Sequence, residues 1–352
     1  MLVKRFAENP IITPVDVPPS RPDFEVVCAF NAGVTRYHGE ILLLLRVAER
    51  PRSLGDGIVR VPVLDCAGSS PVVRVYAFDP LDASNDCRDP RIIIADGTVF
   101  LTTLSHLRLA RSTDGRHFTV DPTPALFPDS ADEAYGLEDP RITEIDGVYY
   151  IVYKSVAPTG ISVSLAVTRD FLTFDKKGLI FAPENLDVCL FPEKIDGHFI
   201  ALHRPVSRNI AGLNIWSAAS PDLLHWGGHH YVMGTRAGMW DNARIGGSAI
   251  PIKTERGWLE IYHGATPRDV YCLGAVLLDL HAPHHVLARS TQPLMQPEAP
   301  YETAGFLPNV LFSCGALVDG DMLTIYYGAA DWVMAGAELS ISEILDSLEA
   351  VG

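Results

Sequence analysis

Apolar residues in this chain recur with period two or in short solid runs, and Gly or Pro interrupts nearly every dozen positions, so the pattern predicts strands and tight turns in place of helices. One unit repeats. A short strand leads to a turn carrying glycine, then a strongly apolar strand, a third strand and often a fourth. The turn glycines are Gly39, Gly97, Gly147, Gly197, Gly257 and Gly320, spaced 50 to 63 residues apart. Apolar second strands follow at Ile41–Arg46, Val99–Leu104, Val148–Tyr153, Phe199–Arg204, Trp258–His263 and Met322–Tyr327. Third strands follow at Leu107–Ser112, Ser162–Thr168, Leu213–Ala218 and Cys272–Leu278.

Six repeat units of this kind predict an all-β β-propeller spanning residues 1–352 as a single domain. The last repeat lacks a fourth strand. The N-terminal Ile11-Ile12 segment is free to supply it and close the ring, which would remove two exposed edges.

In a propeller the first strands line a central channel, so residues at their equivalent starts gather at one mouth. Asp89-Pro90-Arg91-Ile92 and Asp139-Pro140-Arg141-Ile142 are the same element in consecutive units, and Asn31, Pro192 and Ser248 lie near equivalent places. A single Asp-Pro would read as a strand-start turn; two copies point to a polar, carboxylate-bearing funnel, with Asp139 as the candidate for chemistry.

Composition narrows the partners. The 352 residues carry a net charge of −15, which disfavours nucleic acid and anionic membranes and requires a local basic pocket for any bound anion. The six cysteines form no CxxC pair, so neither a zinc site nor a disulfide framework is indicated. No apolar signal core follows the basic pair Lys4-Arg5, and no stretch reaches membrane-span length; the expected location is cytoplasmic.

Several motifs, in order along nearly the whole chain, resemble glycoside hydrolase family 130, the inverting mannoside phosphorylases and related β-mannosidases. They are Phe30-Asn31, Leu45-Arg46, Glu138-Asp139-Pro140-Arg141, Leu190-Phe191-Pro192-Glu193-Lys194-Ile195, Leu202-His203-Arg204-Pro205, Arg244-Ile245-Gly246-Gly247, Gly257-Trp258-Leu259-Glu260-Ile261-Tyr262-His263-Gly264 and Tyr326-Tyr327-Gly328-Ala329-Ala330-Asp331. The Arg46–Arg50 and Ser162–Asp170 regions look most like members acting on β-1,2-linked mannose. The family implies a five-bladed β-propeller, one blade fewer than the units counted, and residues 52–88, the least regular part, are where the difference is expected.

The resemblance implies phosphorolysis of β-1,2-mannobiose or short β-1,2-mannooligosaccharides, with inorganic phosphate as co-substrate, no other cofactor and no metal. Asp139 is then the general acid, its proton passing through a substrate hydroxyl. Arg204, Arg244, His263 and Tyr271 stand at positions matching family phosphate ligands, with Lys194 as an extra cation. Asn31, Arg46, Asp89 and Asp331 are candidates for holding the mannosyl unit, joined from the matched motifs by Glu138, Arg141 and His203. Tyr135, Trp240 and Trp332 could stack on an acceptor sugar. A homo-oligomer is compatible with the sequence.

One departure concerns phosphate: Leu186 stands where several family members carry another arginine. Hydrolysis of the same bond stays open, because Glu193 and Glu260 are available as bases and an inverting hydrolase needs a second carboxyl group. A non-catalytic sugar-binding protein is the third alternative. Strand alternation predicts that Glu138 points away from Asp139 and that Glu260 lies opposite His263. An acidic Asp139 also requires a pKa raised above the ordinary 3.9.

Overall fold

The computed structural model describes residues 3–207 and 209–351. Strands dominate them, and the hairpin turns match the turn chemistry of the sequence: His38-Gly39, Asp96-Gly97, Asp146-Gly147 and Asp196-Gly197 all take positive φ at both positions, the geometry that suits the twist of a two-residue hairpin.

Strand pairing corrects the predicted architecture. In place of a five-bladed propeller closed into a ring, the described strands form six separate sheets of four, eight, four, six, two and three strands, none of them closed. The difference arises where the first unit continues. After the Glu40–Pro51 strand the chain leaves the body and builds two small sheets, from Val59–Asp65 with Val72–Phe78 and from Asn85–Asp86, Ile92–Ala95 and Thr98–Leu101. It then returns as Leu104–Ser112, which pairs along Glu40–Pro51 from Ile41↔Ser112 to Glu49↔Leu104. The Gly97 turn therefore marks no independent repeat.

The same returning strand bridges Ser105 to Gly136, which fuses the Phe24–Tyr37, Glu40–Pro51, Gly136–Ile145, Val148–Ala157, Gly160–Thr168 and Asp175–Phe181 strands into the eight-stranded sheet. Glycine is required at 136: with φ at +120°, an added methyl group would lie 2.5 Å from the Ser105 backbone.

At the other end, Lys4 and Arg5 pair with Glu338 and Ala337, and Ile12 bridges Met334. This gives the sheet of Leu311–Asp319, Met322–Ala329 and Val333–Ser340 its fourth strand, but it joins no sheet to another. The Ile341–Ser347 segment is a short helix.

Burial explains the solid apolar runs. Leu42 and Leu44 pack with Leu107, Ile142, Ile151 and Tyr153, whereas Leu43, Leu45 and Val47 pack on the opposite side with Phe6, Ile12 and Tyr326. A strand covered on both faces has no reason to alternate. Among the described residues, no helix is long and apolar enough to cross a membrane, and no group of three or more His, Cys, Asp or Glu is placed to hold a metal ion.

Candidate active site

Three strands carry a register break at a polar residue. The Phe24–Tyr37 strand breaks between Phe30 and Gly33, Gly136–Ile145 between Glu138 and Arg141, and Asn185–Leu190 between Leu186 and Cys189. Asn31, Asp139 and Asp187 occupy these breaks with φ of +47°, +47° and +53°. A bulge re-aims its side chain out of the alternating pattern. Asp187 thus stands in the third strand where Pro192 was expected.

The bulges converge on Asp139, which is 3% exposed. Its Oδ1 accepts from Asn31 Nδ2 at 2.9 Å and from Arg46 at 3.2 Å, and its Oδ2 accepts from Lys154 Nζ at 2.6 Å. Arg46 also donates to Glu138. The expectation that Glu138 points away from Asp139 fails, because the bulge between them interrupts the alternation on which it rested.

Burial opposes the charge on Asp139, but Lys154 and Arg46, with the hydrogen bonds of Lys154 and Asn31, hold its carboxyl well below the usual carboxylate range. The raised pKa demanded of an acid is absent from this arrangement of groups. Burial pushes Glu138 up, against Arg46, and pushes Asp331 up to about 6, also against Arg46.

A cleft of about 330 Å³ opens over this cluster, lined in part by Phe30, Arg46, Asp89, Arg91, Glu138 and Asp331. Asp89 therefore reaches the site, but not as the counterpart of Asp139: it is half-buried before a small-sheet strand and paired with Arg91 at 2.8 Å.

Asp187 organises a second group. Its Oδ2 takes Arg204 through two contacts of 2.8 Å and His263 Nε2 at 3.5 Å, while its Oδ1 faces Lys154 at 3.5 Å and Arg141 at 3.7 Å. Burial opposes ionisation of Asp187, yet Arg204, Lys154, His263 and Arg141 hold it far below the usual range. Burial pushes His263 down to about 3, so the imidazole is neutral in spite of Asp187. The His263 and Tyr271 rings lie 6.0 Å apart, and Arg244, ion-paired with Asp269, sits 4.9 Å over Tyr271. A methyl group on Gly246 would come within 2.3 Å of Asp187 and 2.6 Å of His263, which explains a glycine at that position.

Arg204, Arg244, His263 and Tyr271 are thus brought together beside Asn31, Arg46, Glu138, Asp139 and Asp331, and two expected residues, Lys194 and His203, are not. Lys194 is exposed, its ammonium 4.4 Å over Phe199; Phe199 precedes Arg204 by five residues on one strand, about 16 Å away. His203 alternates to the other face, where it stacks on Phe181 at 4.8 Å and bonds Asn185. Arg141, though beside Asp187, donates to the backbone carbonyls of Gly247, Ser248 and Asp139 at 2.7, 2.9 and 3.3 Å, which makes it a support for the site.

The proposed hydrolytic bases are elsewhere. Glu193 is surface-paired with Lys253 at 2.5 Å. Glu260 is fully buried, accepts from the Ser248 amide at 3.1 Å, and is pushed well up by burial. Of the aromatic candidates, Tyr135 donates to the Val99 carbonyl, Trp240 stacks on Tyr262, and Trp332 is 40% exposed.

Sequence reasoning missed Lys154 and Asp187. A signal existed for both: each is the one charged residue within a mostly apolar run, Tyr150–Val156 and Leu186–Leu190, and charged residues are rarely buried without partners.

The family model for glycoside hydrolase family 130, described as β-1,4-mannooligosaccharide phosphorylase, matches residues 101–350. A β-1,2-mannobiose phosphorylase of Listeria innocua is 47% identical over 99% of both chains. A 1,2-β-oligomannan phosphorylase of Thermoanaerobacter is 40% identical over 68% of this chain and 80% of its own. The solved structure of the Listeria innocua β-1,2-mannobiose phosphorylase in complex with β-1,2-mannobiose covers 99% of both chains with a TM-score of 0.95.

Proposed function

Because this chain belongs to glycoside hydrolase family 130, we propose that it is a glycoside phosphorylase that cleaves β-1,2-mannobiose or short β-1,2-mannooligosaccharides with inversion, yielding α-mannose 1-phosphate and a shortened sugar. The observation that carries this reading is the 47% identity, over essentially the whole of both chains, to a β-1,2-mannobiose phosphorylase. The geometry supports it. Phosphate is its own nucleophile, so the protein needs one acid and a cationic, hydrogen-bonding cradle in place of a second carboxylate. Asp139 is the acid in this reading, Arg204, Arg244, His263 and Tyr271 the cradle, and Asn31, Arg46, Asp89, Glu138 and Asp331 the sugar-facing set.

Hydrolysis is disfavoured by the positions of Glu193 and Glu260, one on the surface and the other sealed in the core. All six cysteines are free thiols, which supports a reducing, cytoplasmic setting. Incubation with β-1,2-mannobiose, with and without inorganic phosphate, tests the reading. Turnover should require phosphate and yield α-mannose 1-phosphate; free mannose released at one rate in both conditions would reject it.

A further inference from the structure

Asp139 has to carry a proton to act, yet its oxygens receive Asn31, Arg46 and Lys154. The structure contains a place for one of those donors to go. Asp187 Oδ1 is buried without a hydrogen bond, and Lys154 Nζ stands 3.5 Å from it.

Resting on the phosphorylase reading, we propose that Lys154 couples phosphate binding to protonation of Asp139, by moving its ammonium from Asp139 to Asp187 when the anion engages Arg204 and His263. Asp187 depends on Arg204 for its two 2.8 Å contacts. An entering anion competes for that guanidinium, and a buried carboxylate deprived of its cation is strongly destabilised. Something must move toward Asp187. Arg141 is pinned by the carbonyls of Gly247 and Ser248, whereas Lys154 is a compact charge on a flexible stem and needs to shift by less than about 1 Å to reach hydrogen-bonding distance.

Asp139 then keeps only Asn31 and Arg46, and Arg46 is shared with Glu138. The other charged or titratable groups around it are Glu138 and Arg141 on its own strand, Asp187, Asp331 and Cys314. Three of those are carboxyl groups, so losing the ammonium favours the protonated form, and the proton comes from bulk water. In the reaction a phosphate oxygen bonds the anomeric carbon as the glycosidic C–O bond breaks. Asp139 gives its proton to a substrate hydroxyl, which passes its own to the leaving oxygen, so that Asp139 returns to carboxylate and can take back Lys154.

Proton uptake on anion binding tests the switch. Titration calorimetry with phosphate, and with sulfate as a dianion that does not titrate, in buffers of differing ionisation enthalpy counts protons directly. Wild type should take up about one more proton per site than Asp139→Asn, and Lys154→Met should lose that difference. Anion binding by wild type without extra uptake overturns the switch and leaves the phosphorylase reading standing, as does equal uptake in Lys154→Met. Failure of wild type to bind either anion overturns both.

Discussion

Gly328 faces Asn31 so closely that a methyl group on it would lie 2.0 Å from Asn31 Oδ1 and 3.0 Å from the Asn31 amide. Since Asn31 donates to Asp139, the glycine sets the position of the candidate acid without touching it. Gly328→Ala should lower kcat by roughly 10- to 100-fold, the scale of a displacement near 1 Å at a reacting group. The fraction of folded protein, measured alongside, should fall far less. Unchanged kcat would mean that Asn31 does not govern Asp139.

Asp139→Asn keeps the shape of the side chain and removes its transferable proton. Turnover should fall by about 10²–10⁴-fold, the usual contribution of general acid catalysis, while sugar binding persists. A variant keeping more than about a tenth of wild-type turnover would place the acid elsewhere.

Arg204→Ala removes the charge-assisted partner of Asp187 and, in the proposed function, of phosphate. Such contacts contribute roughly 1.5–3 kcal/mol, so the apparent KM for phosphate should rise by about 10- to 150-fold. The KM for the sugar should move far less. Equal rises in both would argue that the arginine only supports the fold.

Deleting residues 1–14 removes Phe6 and Ile12, 7% and 1% exposed, whose burial contributes about 1.5–3 kcal/mol each. The cut also leaves the edge of the Val333–Ser340 strand unpaired. Thermal unfolding should shift down by several degrees for the whole protein; an unchanged midpoint would show that the segment is dispensable.

Acid should destabilise the fold before ordinary carboxylates titrate. Burial and His229 lower His203 to about 4, and burial lowers His263 to about 3. Between those values and the unfolded 6.5 the unfolded chain binds more protons, so stability falls as pH falls, by up to about 1.4 kcal/mol per pH unit and histidine. Asp331, raised to about 6, acts in the opposite sense below that pH and offsets part of the loss. In denaturant titrations, His203→Gln should reduce the decline between pH 6.5 and 5 by about 1.6 kcal/mol. A decline of wild-type size in the variant would assign the acid sensitivity to other groups.

Strands, turns and the Asp139 segment were legible in the chain itself, because alternation and Asp-Gly turn chemistry act over two to four residues and need no distant partner. Asn31, Arg46 and Asp331 could be named as polar residues near strand ends, whereas Arg204 and His263 stand out by their positions in the matched family motifs. Sheet membership was not legible. Leu104–Ser112 reaches past the 52–103 excursion to pair with Glu40–Pro51, and that choice depends on which edges remain open once the core has packed. The reversal of Glu138 depended on a bulge, which shows only when two strands are in register. Lys154 and Asp187 acquire meaning from each other: they lie 33 residues apart on neighbouring sheets, and only the tertiary fold brings the ammonium between two buried carboxylates, at 2.6 and 3.5 Å.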